Sequence, residues 1–231
     1  MEIPFLVGRF AYAEIDSMMF FPTLLISLWM GGRNYVALMK SVGVVAPLYL
    51  FWDFLATYRD SWAFNPSHVL GLYVVNLPVE EVMFFVVTPF ATIMIYDFLR
   101  RRRDSRVRWA SWISLLAGVA SLSISPLFLA HSYTFVDLLY MGMALIASWL
   151  LDRGMLESLN FWRFMALSYV PFLVFDFFLT ALPVVEYGPG SILGVRVITI
   201  PVEDFIYSFS MLTLYTLFYR YFLGRQTANV R

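Results

Sequence analysis

Six acidic residues lie in or at the ends of long apolar runs: Asp53, Glu80, Glu81, Asp176, Glu203 and Asp204. An ionised acid near the centre of a bilayer costs about 2.5–3.5 kcal/mol on insertion scales. Acids in such places are typical of a functional site, where a protonated carboxyl beside an ionised one works as general acid and general base. The alternative is a structural network, in which the acids pair with Arg59 or Arg196 or cap helices.

The acids recur at a fixed interval. When the sequence is shifted against itself by 123 residues, Asp53 falls on Asp176, and Pro78-Val79-Glu80-Glu81 falls on Pro201-Val202-Glu203-Asp204. Proline favours the first turn of a helix, and Asn76 and Thr199 just before it are candidate caps. If the helix instead runs through each proline, we expect a kink there. The repeat predicts two parallel three-helix units, 1–108 and 131–231, joined by a linking helix at 109–130.

The composition indicates a protein that sits in a bilayer. Hydrophobic residues make up 61% of the 231 residues and charged residues 14%, whereas soluble proteins average about 25% charged. The 16 basic residues balance 16 acidic ones, which argues against a nucleic-acid partner. With no cysteine and two histidines, we expect no metal site, and no motif predicts a bound cofactor.

Apolar runs divide the chain into seven predicted membrane spans: 13–32, 36–56, 72–98, 109–130, 133–151, 161–182 and 197–223. The arginine-rich loop 100–108 is placed in the cytoplasm by the positive-inside rule. Alternation of the spans then leaves only Arg9, Arg59 and Arg196, of 16 basic residues, on the other side. The fold class is therefore an all-α polytopic membrane protein, one multi-pass domain of the cell membrane. We expect its amino terminus outside and its carboxyl terminus in the cytoplasm.

Aromatic residues form 19% of the chain, and many lie close in sequence to the acids. Trp62, Phe64, Phe84 and Tyr207 are the candidates for contact with a substrate, because ring faces stabilise a nearby cation. The alternative is that these rings only fill the lipid-facing surface and the interfacial belts.

The sequence resembles the integral-membrane, heterodimer-type lycopene cyclases, in the fused form known from archaea. The resemblance covers nearly the whole chain and is carried by Phe51-Trp52-Asp53, Trp62-Ala63-Phe64-Asn65-Pro66, Leu77-Pro78-Val79-Glu80-Glu81, Asp176, Leu182-Pro183, Gly194 and Ile200-Pro201-Val202-Glu203-Asp204. The second repeat departs from the pattern at Gly188, which stands where the first has Asn65.

The resemblance implies a lycopene β-cyclase that closes the ψ ends of lycopene to β-ionone rings without net redox change and without a cofactor. It implies catalytic roles for Glu80, Glu203, Glu81, Asp204 and Asp53. Substrate contacts would come from Trp62, Phe64, Asn65, Phe84, Asp176 and Tyr207. The partners would be lycopene and partly cyclised carotene in the bilayer, and a homo-oligomer is compatible with the sequence.

Two other classes fit part of the pattern. Intramembrane acids, prolines and repeats are also typical of proton-coupled transporters. A non-catalytic membrane protein that binds carotenoids or lipids would show the same apolar and aromatic surfaces. Transport favours polar residues along a path through the membrane, whereas the acids here are concentrated towards one side.

Overall fold

The computed structural model describes residues 8–228, with side chains as far as Arg225. It contains seven α-helices: α1 Ala11–Met30, α2 Tyr35–Tyr58, α3 Val79–Leu99, α4 Arg108–Ile124, α5 Ser132–Leu156, α6 Leu159–Ala181 and α7 Val202–Ala228. Short 3-10 helices precede α1 at Gly8–Phe10 and follow α4 at Ser125–Phe128. The predicted all-α polytopic class is confirmed. The predicted locations of the two chain ends, at Met1 and Arg231, lie outside the described residues.

Six of the described helices, α1 to α6, are long and apolar enough to cross a membrane. Helix α7 is 27 residues long but carries more polar side chains, because it lies in the interior and packs on α2, α3, α5 and α6. Tyr215 and Tyr219 of α7 are fully buried, as are Thr213 and Thr216. A helix surrounded by other helices needs no continuous apolar surface toward lipid.

Two predicted spans begin too early. The segments predicted at 72–98 and 197–223 each open with a β-hairpin, made by β2 Tyr73–Val74 with β3 Leu77–Pro78 and by β5 Arg196–Val197 with β6 Ile200–Pro201. Pro78 has extended backbone angles and stands just before α3, and its ring disfavours helical geometry in the preceding Leu77. The prediction of a helix that starts at each proline is therefore correct, and the continuous kinked helix is not found.

The hairpins repeat an unusual turn. Val75 and Ile198, at matching positions, have φ angles of 60° and 62°. β-Branched residues rarely occupy this left-handed region, so the same strained turn in both halves indicates a common architecture. The predicted caps are wrong for α3: no side chain caps it, and the Asn76 amide instead donates to the Phe54 carbonyl at 3.0 Å. Thr199 in turn is hydrogen-bonded to the Thr180 hydroxyl at 2.8 Å.

The two halves meet at one end of the bundle, which we call the hairpin end. Strand β1 (Trp62–Phe64) of the first half pairs antiparallel with β4 (Val185–Tyr187) of the second. The amide of Tyr12 donates to the His68 carbonyl at 3.1 Å, and the His131 ring contacts the Gly190 carbonyl at 2.9 Å. The starts of α1 and α5 therefore lie at the hairpin end too, as alternating spans require.

The opposite end of the bundle holds ion pairs, and we call it the arginine end. Asp97 pairs with Arg100 at 2.7 Å and lies 3.6 Å from Arg33. Asp152 pairs with Arg220 at 2.6 Å. These contacts tie the ends of α3, α5 and α7 to the start of α2.

Candidate active site

A cavity of about 390 Å³ lies between the two halves, near the hairpin end. Helices α1, α2, α3, α5, α6 and α7 and strands β1 and β4 all contribute to its wall. Most of the lining is apolar, with Met19, Phe84, Phe172, Phe175, Met211 and Leu212 among the larger side chains. A dry space of this size is in the usual range for a small-molecule site.

Four carboxyl groups line the cavity, those of Asp53, Glu81, Asp176 and Asp204. They are arranged as two pairs of neighbouring carboxyls. Asp53 contacts Glu81, which we call the first dyad, and Asp176 contacts Asp204, which we call the second dyad. Two carboxyls form a hydrogen bond only when one of them carries a proton. Each dyad is therefore a place where one proton can be held between two carboxyl groups.

Tyrosine hydroxyls hold the first dyad. The Tyr12 hydroxyl donates to Glu81 Oε2 at 2.6 Å, and the Tyr207 hydroxyl donates to Asp53 Oδ1 at 3.1 Å. The other oxygen of Asp53 is buried and receives no hydrogen bond from an N–H or a hydroxyl. That oxygen is therefore the one free to carry a proton toward its neighbour.

The second dyad has a different set of donors. Tyr133 donates to Asp204 Oδ1 and Tyr187 to Asp204 Oδ2, both at 2.6 Å. Tyr187 lies on β4, outside the helices, where burial and the nearby Asp204 carboxylate raise its pKa. Its hydroxyl therefore stays protonated and available as a donor. Both oxygens of Asp204 are bound this way, whereas Oδ2 of Asp176 has no N–H or hydroxyl donor.

Glu80 and Glu203, first among the predicted catalytic residues, are not among the cavity-lining residues. Each accepts a hydrogen bond from a loop amide: Leu70 N–H donates to Glu80 at 2.7 Å and Leu193 N–H to Glu203 at 2.7 Å. The Thr134 hydroxyl also donates to Glu203. These two carboxyls bind the loops that lead into the hairpins. Each lies one residue before the dyad acid of its own helix.

No basic side chain pairs with a cavity acid among the described residues; the ion pairs found there involve Asp97, Asp152 and Glu157. The alternative network with Arg59 or Arg196 is therefore not found in the described part of the chain. The Arg196 guanidinium instead lies over the Tyr187 ring, 5.4 Å from its centroid. Acids at the arginine end are thus paired with arginines, whereas the cavity acids have no basic partner among the described residues.

Four predicted aromatic residues, Trp62, Phe64, Phe84 and Tyr207, line the cavity together with Asp176. Asn65 does not line the cavity. Its side chain accepts a hydrogen bond from the Ser67 amide at 3.0 Å, which stabilises a turn, and donates one to Glu186 at 3.3 Å.

Gly188 stands at the position of Asn65 in the second repeat, and close packing explains it. A Cβ there would lie 2.0 Å from the Asp60 carbonyl oxygen. Any side chain at this position would push the two loops apart.

Sequence reasoning found the donor Tyr207 but missed the donors Tyr12, Tyr133 and Tyr187 and two further acids. Asp16 and Asp137 are buried, with both carboxylate oxygens unpartnered, although neither lines the cavity. The signal was present as Tyr12-x-x-x-Asp16 and Tyr133-x-x-x-Asp137, which match at a shift of 121 residues. A search at 123 residues alone passes over them. Among the described residues, no group of three or more His, Cys, Asp or Glu is arranged to hold a metal ion.

Comparison with known proteins adds one finding. A family model described as lycopene cyclase matches residues 10–99 and 130–222. The matched segments include both dyads and their tyrosines. No curated protein and no solved structure matches the chain.

Proposed function

Because the chain belongs to the lycopene cyclase family, a family of multi-pass proteins that act on carotenoids, we propose that it is a lycopene β-cyclase that works by acid–base chemistry at the two dyads. The observation that carries the proposal is the presence of two carboxyl dyads, without a cationic partner, in the wall of an apolar cavity. General acid and general base are both present there.

The reaction adds one proton to lycopene and later removes one proton from the newly formed ring. A carboxylic acid protonates C2 of the terminal double bond of lycopene, which leaves a tertiary cation at C1. The C5=C6 double bond attacks this cation, so that C1–C6 forms and the charge moves to C5. A carboxylate then removes the proton on C6, and the C5=C6 bond of the β ring results. Hydrogen and electron counts are unchanged, so the proposed reaction needs no oxidant and no reductant.

The cavity suits a hydrocarbon that arrives from the bilayer. Met18 and Pro22 of α1 line the cavity and are also exposed on the apolar outer surface of the bundle. A ψ end can therefore enter from the side, between α1 and α6. Lycopene offers no group for hydrogen bonding, so shape and burial supply its binding.

The aromatic walls suit the cationic intermediate. Trp62 packs edge-on against Tyr133, with ring centroids 4.9 Å apart, and Tyr207 lies 5.1 Å from Tyr49. Ring faces attract a cation by about 0.5–2 kcal/mol each when water is excluded. The same exclusion of water protects the cation from capture as an alcohol.

We also propose that the hairpin end faces the outside of the cell and the arginine end the cytoplasm. Arg9, Arg59 and Arg196 lie at or near the hairpin end, whereas the loop that carries Arg100 to Arg108 lies at the other. The positive-inside rule supports this orientation.

The proposal is tested by pigment analysis of lycopene-accumulating cells that express the chain. We expect the wild type to produce cyclic carotenes and Glu81→Gln to lower the yield by about 10²-fold or more. Glu186→Gln is the matched control, because Glu186 is exposed on β4 and does not line the cavity; it should behave as wild type. Unchanged lycopene with the wild type, or equal yields from both variants, would contradict the proposal.

A further inference from the structure

We infer that the two dyads have different tasks: the first dyad delivers the proton to lycopene, and Asp204 of the second dyad, held by Tyr133 and Tyr187, removes the proton from the new ring. This inference rests on the proposed function. It makes Tyr187 a positioning residue that helps to decide where the ring double bond forms.

The asymmetry lies in two positions of the repeat. At the shift of 123 residues, Tyr187 corresponds to Phe64 and Tyr207 to Phe84. All four side chains line the cavity, but a phenyl ring donates no hydrogen bond. Tyr12 and Tyr133, by contrast, donate equivalent bonds in the two halves, both at 2.6 Å.

As a result, the carboxyls of the two dyads receive different numbers of hydrogen bonds. Asp204 receives a short bond at each oxygen, whereas in the first dyad Glu81 and Asp53 receive one each, and the bond to Asp53 is 3.1 Å long. Hydrogen bonds to a carboxylate stabilise its charged form. Asp204 is therefore the best-stabilised carboxylate of the four, and the first dyad is the better store of protons.

The two donors of the second dyad also pack against each other. Tyr187 pairs with Trp62 in the β1–β4 ladder, and its ring stacks on that of Tyr133 with 5.8 Å between centroids and 14° between planes. Two hydroxyls on fixed, stacked rings hold the Asp204 carboxylate in one orientation. A base that is aimed in this way selects one proton of its substrate.

The identity of the proton removed decides the ring type. The C5 cation gives the β ring by loss of the C6 proton, the ε ring by loss of a C4 proton, and the γ ring by loss of a proton from the methyl group on C5. In each case the first dyad has lost one proton and Asp204 has gained one. The second dyad then releases one proton to water and the first dyad takes up one proton from water, which completes the cycle.

The experiment uses lycopene-loaded membranes in D₂O. The carotenes are separated by chromatography, and mass spectrometry measures the deuterium content of each. Asp53→Asn should give no cyclic carotene and no deuterium in the recovered lycopene, because no cation forms. Asp204→Asn should still form the cation, so deuterium should enter recovered lycopene as protonation reverses. Any rings that do form should be richer in ε and γ types.

Tyr187→Phe gives the sharper measurement. The ratio of ε and γ rings to β rings should rise roughly tenfold, as expected for loss of a hydrogen bond to a charged group. Tyr169→Phe is the control, since its hydroxyl donates to the Phe205 carbonyl outside the cavity lining. A loss of stability alone lowers the yield but does not move this ratio.

Three outcomes would overturn the inference: deuterium in lycopene recovered with Asp53→Asn, unlabelled lycopene with Asp204→Asn, or a wild-type ring ratio with Tyr187→Phe. Failure of the proposed function would look different, because the wild type itself would then leave lycopene unchanged. Each variant is compared at matched protein level in the membrane.

Discussion

At the scale of single residues, neighbouring carboxyls in each repeat have opposite surroundings. Glu80 and Glu81 are both buried, yet Glu80 accepts a loop amide and Glu81 faces the cavity. Consecutive residues on a helix point about 100° apart, and here this angle directs Glu81 to the cavity and Glu80 to the loop. The same division separates Glu203 from Asp204.

This division predicts unequal effects of substitution. Glu80→Gln keeps a carbonyl oxygen to accept the Leu70 amide, so we expect cyclisation within a few-fold of wild type. Glu80→Ala leaves that amide unpaired and should lower stability by about 1–3 kcal/mol, the usual cost of an unsatisfied buried donor. The measurements are carotene yield and thermal unfolding in detergent. If Glu80→Gln abolished cyclisation as Glu81→Gln is expected to, Glu80 would belong to the catalytic group.

The sequence alone predicted the acids but not their orientation. The Pro-Val-Glu-acid repeat identified Glu80, Glu81, Glu203 and Asp204 through residue type and spacing. Which carboxyl faces the cavity depends on the rotation of α3 and α7 in the bundle, and packing sets that rotation. The dyads join Asp53 to Glu81 across two helices, a long-range contact that no local pattern indicates.

At the scale of elements, the starts of α3 and α7 were predictable because proline marks them. The hairpins before them were not, since two-residue strands carry no periodicity, and apolar hairpin residues such as Val74 and Val197 extend the apolar runs. The β1–β4 pairing was also missed, because three-residue strands from different halves come together only after the bundle forms.

The start of α6 provides a prediction on pH dependence. Partial burial opposes ionisation of Asp104, but hydrogen bonds from Ser158, Asn160 and Ser105 outweigh it and lower the pKa of Asp104 below its ordinary 3.8. A group with a lowered pKa stabilises the fold at pH values above its unfolded pKa and loses that effect as the pH falls through the folded value. The wild type should therefore exceed Asp104→Ala in stability at neutral pH.

We expect this stability difference to be about 1 kcal/mol at pH 7 and to shrink steadily below pH 3.8. Thermal unfolding in detergent across this range measures it. Asp60→Ala serves as the matched control, because Asp60 is an exposed loop acid at the other end of the bundle. A difference that stayed constant down to the lowest pH would show that the Asp104 charge does not stabilise the start of α6.

At the scale of the whole molecule, the bundle separates two kinds of buried acid. Acids at the arginine end are neutralised by Arg33, Arg100, Arg153 and Arg220. Acids at the hairpin end are supported by tyrosine hydroxyls and backbone amides instead. Ion pairs fix structure, whereas carboxyls without a counter-ion retain protons that can be transferred. The fold thus confines its reactive acids to one end.

The proposed orientation predicts the outcome of reporter fusions. A reporter after Arg103 should lie in the cytoplasm, and reporters at Asn65 and Gly190 should lie outside, because Asn65 and Gly190 are in loops at the hairpin end. Accessibility of each reporter in intact cells is the measurement. A cytoplasmic result at Asn65 would reverse the orientation while leaving the relative positions of the two ends unchanged.

In the proposed reaction, water-derived protons, delivered by carboxyls, close the rings without net redox change. Purified protein in D₂O, with lycopene and no nicotinamide or flavin, tests it by the mass of the carotene formed. We expect one deuterium per ring, at C2, and otherwise the mass of lycopene. Cyclic product without deuterium, or product only after a nicotinamide or flavin is added, would contradict it.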